Sequence, residues 1–246
     1  MTKTIIIILL FKVYFVFGQK NFTILVNYNS AEHSFKTKHY NDAIKITTKS
    51  LGSMQATDTL YEKILSLRVL SYLKVKNFDK AIADYKKLIY TNPSDLTYYV
   101  GIAYAYSELN DFKNCFYYLN EGYKVNPKDT YLLNNMAHYH NIGKDFDGAI
   151  RYANLALELN LGNDSRSFIL IERSKSYTNL KMYEQALKDC NESISLSPNN
   201  SLAHYYRALA NIGLNKLEMV CSDLEKAKKY AAGGLTKDLI KQYCEK

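Results

Sequence analysis

The stretch Phe78-Asp79-Lys80-Ala81 decides how the chain folds, because its pattern of a large apolar residue with a small one three positions later returns along the sequence. Further copies begin at Phe112, Phe146, Tyr183 and Leu217, at intervals of 34, 34, 37 and 34 residues. A period of this length is typical of stacked supersecondary units, each of which buries its apolar face only against its neighbours. The sequence therefore predicts a repeat array.

Each repeat contains the pattern of two helices. Apolar residues such as Leu65, Val69 and Tyr72 recur three or four positions apart, which is the spacing of one buried helix face. Each motif copy begins a second helix after a short turn. Prolines at positions 93, 127 and 198 mark the ends of three of these second helices, because proline cannot continue a helix. The unit is thus predicted to be a helical hairpin.

The third repeat contains three additional residues. Its proline position is taken by Leu161, and the stretch 161–165 is rich in residues that favour turns and helix starts. Loops accommodate insertions at low cost in free energy. We therefore place the insertion in the loop, outside the helices.

Together the landmarks resemble the tetratricopeptide repeat. In one copy they read Tyr99, Ala103, Tyr106, Phe112, Cys115, Leu119, Gly122 and Pro127, whereas His140 and Asn211 replace the aromatic residue in two other copies. The resemblance implies an all-α fold, a right-handed superhelical solenoid of antiparallel helix pairs. We divide the chain into a degenerate leading repeat (19–57), five repeats (58–94, 95–128, 129–165, 166–199 and 200–232) and a C-terminal capping helix (233–246).

Residues 1–18 have the pattern of a secretory signal peptide, with Lys3, an apolar run and Gly18 near the expected cleavage point. The run is shorter than the roughly 20 apolar residues that span a bilayer, and Lys12 interrupts it. We expect export to the periplasm or the cell exterior, in a bacterial envelope, with no integral membrane span after cleavage. A retained anchor is the alternative.

The chain is mildly basic. Its formal net charge of +8 falls by two if Lys3 and Lys12 leave with the signal segment. Acidic and basic residues alternate along the second helices, as in Asp79-Lys80, which is typical of a solvated helix face. No arginine-rich stripe or nucleic-acid motif is present, so we expect no nucleic-acid partner, and an anionic partner is the alternative interpretation of the charge.

The positions of the four cysteines in the repeats divide them into two groups with different predicted environments. Cys115 and Cys190 occupy landmark positions inside the helix stack, where a free cysteine behaves as a small apolar residue. Cys221 follows the landmark Val220, and Cys244 lies on the final helix, whose apolar side contains Leu235, Leu239 and Ile240. We predict a Cys221–Cys244 disulfide, with two unpaired thiols as the alternative.

Candidate functional residues follow from the family resemblance, since in tetratricopeptide proteins the first helices line a concave groove that binds an extended peptide. The corresponding positions here are Tyr104, Asn134, His138, Asn141, Ile171, Lys175 and Tyr205, with Ser66 and Leu70 in the first complete repeat. They do not reproduce the two-carboxylate clamp of chaperone-binding members. Their amides could hold a peptide backbone through hydrogen bonds, or they could simply be solvated surface residues.

The sequence predicts neither a catalytic nor a metal site, and we expect no cofactor. His138 and His140 are two positions apart on a helix and so point to different faces, unlike paired helical ligands. Phosphate loops and nucleophile motifs are missing from the sequence. We therefore expect a non-catalytic scaffold for a protein or peptide partner. The alternative is a structural protein that self-assembles through Phe116, Tyr117 and Tyr118; the oligomeric state is left open.

Overall fold

The computed structural model describes residues 19 and 21–245, so the predicted signal segment lies outside the described residues. Within them every regular element is a helix, which confirms the all-α class. The helices are α1 (21–36), α2 (Tyr40–Leu51), α3 (Tyr61–Lys74), α4 (Phe78–Thr91), α5 (Leu96–Glu108), α6 (Phe112–Val125), α7 (Thr130–Ile142), α8 (Phe146–Leu157), α9 (Asn163–Asn179), α10 (Tyr183–Leu196), α11 (Ser201–Gly213), α12 (Val220–Ala227), a π-helical turn (Lys228–Ala232) and α13 (Gly233–Tyr243).

The chain forms two compact units that divide between Asn110 and Asp111. In unit 1, α2 packs on α3, α3 on α4, and α4 on α5. In unit 2 each helix from α6 to α13 packs on the next one, and the first helices α7, α9 and α11 also contact one another in order. Consecutive antiparallel hairpins therefore stack side by side within each unit.

The recurring motif marks where second helices begin. Phe78, Phe112, Phe146 and Tyr183 are the first residues of α4, α6, α8 and α10. In three of these cases an Asn or Asp precedes the aromatic residue and accepts a hydrogen bond from a backbone N–H of the first turn, as Asp145 does from Gly148 at 3.0 Å. Such caps satisfy amide groups that the helix itself leaves unpaired.

A left-handed residue closes the first helix of every hairpin. The residues are Lys38, Lys76, Asn110, Lys144, Lys181 and Asn215, with φ between 56° and 65°. Their intervals of 38, 34, 34, 37 and 34 residues repeat the sequence period in the backbone itself. The turn around Lys76 shows the paired hydrogen bonds of a Schellman motif, from Asn77 N–H to the Tyr72 carbonyl and from Lys76 N–H to the Leu73 carbonyl.

The insertion in the third repeat lies partly inside a helix, so its predicted place in the loop is wrong. Helix α9 begins at Asn163 and has 17 residues, whereas α7 and α11 have 13 each. Asn163, Asp164 and Ser165 form the additional turn, after an extended Gly162 at the N-cap. An inserted segment can join a helix at its N-terminus because each residue added there gains a backbone hydrogen bond, such as Arg166 N–H to the Gly162 carbonyl at 3.0 Å.

The small residues at the landmark positions of the repeats are buried. Ala103, Cys115, Ala137, Ala149, Ser174 and Ala186 are all fully buried. At the C-terminal end, Ala208, Val220, Leu224 and Ile240 form one core cluster that joins α11, α12 and α13. Leu235 is 52% exposed and does not belong to the buried side of α13, whereas Leu239 packs against the cluster as expected.

Candidate partner-binding site

Unit 1 has an open cavity of about 660 Å³ between the first helices α1 and α3, which we call the α1–α3 cavity. Leu67, Leu70, Phe35 and Tyr28 supply its apolar and aromatic lining. Leu67 is buried, whereas Leu70 is 45% exposed. Ser66, which also lines the cavity, and Leu70 are the groove positions that the register assigned to this repeat.

Two acidic and two basic side chains line the α1–α3 cavity, namely Glu32, Glu62, Lys36 and Lys63. The Lys36 ammonium lies 2.8 Å from the Glu32 carboxylate one helical turn away. The Glu62 carboxylate accepts hydrogen bonds from the Tyr98 hydroxyl and from Asn92 Nδ2. Burial raises the pKa of Tyr98, and its bond to the Glu62 carboxylate raises that pKa further. The exposed Lys63 forms no ion pair with any other described residue.

Tyr104 is the predicted groove residue of unit 1. Its side chain is 36% exposed, and its ring meets the Phe78 ring edge-on with centroids 6.3 Å apart. Burial raises the pKa of its hydroxyl. Tyr104 thus has one face packed and one side open, as an aromatic anchor for a partner requires.

In unit 2 the first helices α7, α9 and α11 form a polar surface, the α7–α9–α11 face, with a buried carboxylate at its centre. Glu172 accepts hydrogen bonds from His138 Nδ1 at 2.9 Å and from Asn141 Nδ2 at 2.9 Å. Burial alone would raise the pKa of Glu172, but the bonds from His138 and Asn141 outweigh it and leave that pKa lowered. Glu172 is therefore ionised at neutral pH, and its contact with Nδ1 fixes the orientation of the partly exposed His138 ring.

Two of the predicted groove residues are not available to a partner, which corrects their assignment. Asn141 and Ile171 are each only 3% exposed. Asn141 uses its amide inside the molecule, since Nδ2 donates to the Glu172 carbonyl and Oδ1 accepts from the Ser176 hydroxyl at 2.7 Å. The repeat pattern alone could not show that α9 covers the turn of α7 that contains Asn141.

The remaining predicted residues of unit 2 lie on the α7–α9–α11 face and are partly exposed. They are Asn134, His138, Lys175 and Tyr205. Asn134 Oδ1 is buried and has no hydrogen-bond partner among the described residues. The Tyr205 ring packs edge-on to Tyr206 at 5.2 Å, and burial raises the pKa of both tyrosines. The face thus combines an imidazole ring, an amide oxygen without a partner among the described residues, a cation and a phenol ring.

Sequence reasoning missed a set of buried ion pairs that join the helices. Arg68, Arg173 and Arg207 each hold, in bidentate geometry, the aspartate sixteen residues later: Asp84, Asp189 and Asp223. The third guanidinium nitrogen reaches back to the second helix of the preceding hairpin, to Thr48, Asn154 and Asn191 respectively. We call this arrangement the Arg–Asp clamp.

The recurring sixteen-residue interval is the sequence signal that could have revealed the clamp. The equivalent positions of the two repeats between Arg68 and Arg173 hold apolar and aromatic residues, Ile102 with Tyr118 and Met136 with Tyr152. His204 Nδ1 also lies 2.9 Å from Asp223 Oδ1, so this carboxylate contacts a histidine as well as the clamp arginine. The described residues contain no group of three or more potential metal ligands.

The cysteines occupy two environments. Cys221 and Cys244 form a disulfide with their Cα atoms 5.6 Å apart. Cys115 and Cys190 are free and buried, and burial raises the pKa of each thiol to about 12. A thiol with such a pKa is unreactive at neutral pH, since the thiolate is the nucleophile.

Among the described residues there is also no helix long and apolar enough to cross a bilayer.

Comparison with known proteins agrees with the helical pattern. The family model of the tetratricopeptide repeat matches residues 62–95, 96–129 and 169–200. The chain contains tetratricopeptide repeats. Over 103 residues it is 30% identical to serine/threonine-protein phosphatase 5 of Mus musculus, a match that covers 42% of this chain and only 20% of the phosphatase.

Solved tetratricopeptide-repeat structures show the same fold at low sequence identity. The APC/C hetero-tetramer Cut9-Hcn1 has a TM-score of 0.66 at 18% identity, covering 90% of this chain and 42% of that one. YrrB, described as a TPR protein with an unusual peptide-binding site, has a TM-score of 0.58 at 18% identity and covers 80% of this chain and 97% of its own. At this identity the likeness concerns the fold alone.

Proposed function

We propose that this protein-interaction scaffold binds a segment of a partner protein on the first helices of its hairpins. The observation that carries the proposal is the open α1–α3 cavity, an apolar depression of about 660 Å³ on the helices that the register assigns to a peptide groove. Pockets of this size bury ligand groups effectively. Tetratricopeptide repeats are generally non-catalytic scaffolds. The match to the phosphatase covers only 20% of that protein, so its activity is not transferred to this chain.

The α7–α9–α11 face supports the same function by different chemistry. Glu172 holds the His138 ring in place through Nδ1, so the other ring nitrogen, Nε2, can form a hydrogen bond with a peptide backbone. Lys175 adds a cation and Tyr205 an apolar surface, both partly exposed. A preformed polar surface of this kind lowers the ordering cost of binding on the protein side. YrrB is by its description a peptide-binding protein of the same fold, which favours a peptide over a small molecule.

Self-assembly through Phe116, Tyr117 and Tyr118 is the second candidate. The Phe116 ring is occupied, because it stacks on His140 with ring centroids 4.2 Å apart. Tyr117 is 54% exposed and meets Tyr118 edge-on at 5.1 Å. One exposed ring offers a small contact area compared with the roughly 800 Å² per partner of a stable interface. The self-assembly proposal therefore depends mainly on Tyr117.

Site-specific photo-crosslinking distinguishes the two candidates. Benzoylphenylalanine replaces Tyr104, Tyr205 or Tyr117 one at a time in the native cells, since the replacement keeps an aromatic ring at each position. We expect crosslinks from Tyr104 and Tyr205 to a common partner protein, and none of that protein from Tyr117. Crosslinks only between copies of the chain, formed through Tyr117, would favour self-assembly and contradict the groove.

We also propose that the chain is exported, on the basis of the signal-peptide pattern in residues 1–18. The Cys221–Cys244 disulfide supports this proposal, because disulfides persist in oxidising compartments and are rare in the cytosol of mesophiles. The test is cell fractionation with N-terminal sequencing of the isolated protein. A mature start near Gln19 in an extracytoplasmic fraction is expected, and an intact Met1 in the cytosol would contradict export.

A further inference from the structure

We infer that the buried His204 carries a proton on each of its ring nitrogens, which gives the last hairpin a pH-sensitive contact between α11, the loop before it and α12. His204 lies on α11 and is only 2% exposed. The equivalent residues of the preceding repeats are Leu65, Tyr99, Leu133 and Leu170, and all of them are buried. An ionisable ring therefore replaces an apolar or phenolic side chain in the interior of the last repeat.

The contact of Nε2 requires a proton on that nitrogen. Nε2 of His204 lies 2.9 Å from the carbonyl oxygen of Pro198, six residues earlier. A carbonyl oxygen can only accept a hydrogen bond, so Nε2 donates it. The second repeat makes the same contact with a hydroxyl donor, because the Tyr99 hydroxyl donates to the Pro93 carbonyl at 3.0 Å, also six residues earlier. His204 thus takes over a hydrogen bond that the repeat forms elsewhere.

The contact of Nδ1 requires a second proton. Nδ1 of His204 lies 2.9 Å from Oδ1 of Asp223, whose side chain is fully buried. Arg207 donates to both oxygens of the same carboxylate, from Nε at 2.8 Å and from Nη2 at 2.7 Å. A bidentate guanidinium favours the ionised carboxylate, which accepts hydrogen bonds and donates none. Nδ1 therefore donates as well.

Neither neutral form of the imidazole satisfies both contacts. A neutral ring has a single N–H, so its other nitrogen would direct a lone pair at an oxygen lone pair 2.9 Å away. Burial opposes a charge on the His204 ring, whereas the adjacent Asp223 carboxylate and the two hydrogen bonds favour it. The doubly protonated ring is the form that pairs both nitrogens, as buried polar atoms require.

The helices packed against α11 contribute further titratable groups with environments of their own. Asp189 on α10 is bonded to its clamp arginine, and Glu172 on α9 belongs to the α7–α9–α11 face. Cys190 on α10 is a thiol at neutral pH, because burial raises its pKa to about 12. The Tyr230 ring of the π-helical turn has its centroid 6.5 Å from that of the imidazole. Asp223 on α12 is thus the carboxylate that contacts the ring.

Nitrogen-15 NMR of the histidine side chains tests the inference on the intact chain. Protonated and unprotonated ring nitrogens give well-separated nitrogen-15 shifts, and His204→Leu identifies the His204 signals by their loss. We expect both nitrogens of His204 to be protonated at pH 7. His140 is the internal contrast, since burial lowers its pKa and one of its nitrogens should be unprotonated. An unprotonated nitrogen on His204 at pH 7 would overturn the inference.

The pH dependence of unfolding gives a second readout. An unfolded histidine releases its proton around pH 6.5, whereas folded His204 retains it, so its stabilising contribution is complete below that pH and is lost as the pH rises. Between pH 7 and pH 8.5 the equilibrium constant of unfolding should increase more in the natural chain than in His204→Leu, by up to about tenfold per pH unit. Urea denaturation at each pH measures both.

The variant is chosen so that the fold and the clamp are kept. Leu65 and Leu170 occupy the position of His204 in the two other repeats that have an Arg–Asp clamp, so leucine is compatible with this environment. His33→Leu is the control, because His33 is exposed, and its pH dependence should equal that of the natural chain. Equal pH dependence in His204→Leu and the natural chain would contradict a retained proton on His204.

Discussion

At the scale of single residues, the turn that closes each first helix stores conformational strain. Lys76 has φ of 57° although it carries a side chain, and left-handed geometry is costly for residues other than glycine, asparagine and aspartate. Lys76→Gly should therefore raise the free energy of unfolding by about 0.5–1 kcal/mol, the remainder after glycine's larger unfolded-state entropy. Urea denaturation followed by circular dichroism measures it.

Asn110 is the matched control for the Lys76 prediction. It has the same φ of 57° and closes the equivalent turn one repeat later. Asparagine tolerates left-handed geometry because its short side chain can bond locally to the backbone. Asn110→Gly should therefore give a smaller gain than Lys76→Gly. Equal gains in both variants would show that relief of side-chain strain is not the cause.

His140 makes the stability of the protein depend on pH. Burial lowers the pKa of this imidazole, and the hydrogen bond from its Nδ1 side to Asp145 offsets only part of the effect. Because the folded pKa lies below the unfolded value of about 6.5, this stabilising contribution is complete above that pH. It is then lost as the pH falls towards the folded value, since the unfolded chain binds the proton more readily.

His140→Phe should remove this part of the pH dependence. Phenylalanine supplies the aromatic ring that the repeat usually has at this position and can keep the stacking on Phe116 at 4.2 Å. Between pH 7.5 and 5.5 the free energy of unfolding should decrease less in the variant than in the natural chain. His33→Phe is the control, since His33 is exposed, and it should leave the slope unchanged.

At the scale of helices, the Arg–Asp clamp fixes three helices at once. Asp189 is almost fully buried, and Arg173 provides two of its hydrogen bonds at 2.7 Å. Arg173→Met should cost about 3 kcal/mol or more, because it leaves a buried carboxylate without its partner. Arg166→Met is the comparison: its pair with Glu192 is about one-third exposed, and such pairs contribute about 1 kcal/mol or less.

The chain itself suggests how the loss could be recovered. Met136 and Tyr152 occupy the clamp positions of an adjacent hairpin without any ion pair between them. Adding Asp189→Tyr to Arg173→Met copies this arrangement and should restore more than half of the lost free energy, since apolar replacements of buried ion pairs are often neutral. A double variant less stable than the single one would show that the clamp positions are not interchangeable.

The disulfide secures the last helix. It joins Cys221 on α12 to Cys244, which follows α13, and closes a loop with a separation of 23 residues. Replacing both cysteines by serine should lower the free energy of unfolding by about 3 kcal/mol, if loop entropy dominates. Hydrogen exchange should show α13 opening first. Cys190→Ala is the control whose response to reducing agent should match that of the natural chain.

At the scale of the molecule, the features that the sequence predicted are those that depend on local periodicity. The all-α class, the starts of α4, α6, α8 and α10, and the prolines after α4, α6 and α10 follow from patterns within a single repeat. Local patterns are reliable here because each hairpin contacts only its neighbours, so no long-range pairing overrides them. Tyr104, Lys175 and Tyr205 remain candidates for the partner site on the same basis.

The features that escaped prediction depend on contacts between hairpins. Asn141 and Ile171 occupy helix positions that usually face the groove, but neighbouring residues bury them. The hydrogen bonds of Glu172 depend on α9 lying beside α7, which the pattern of a single repeat does not show. The α1–α3 cavity was missed because the leading repeat carries few landmarks, although Ser66 and Leu70 were named on its other side. The position of a residue along a helix predicts the direction in which its side chain points from the helix axis. Whether that side chain is exposed depends on whether a neighbouring helix covers it.

The cross-link at the end of the chain also determines how the protein responds to a pulling force. Tension applied at the C-terminus passes through the Cys221–Cys244 bond directly to α12, and the residues between the two cysteines cannot be stretched. Because an extended residue spans at most about 3.3–3.6 Å, the oxidised chain should lengthen by roughly 75 Å less than the reduced one. A tether attached at this end would therefore load the helical stack before the last helix unravels.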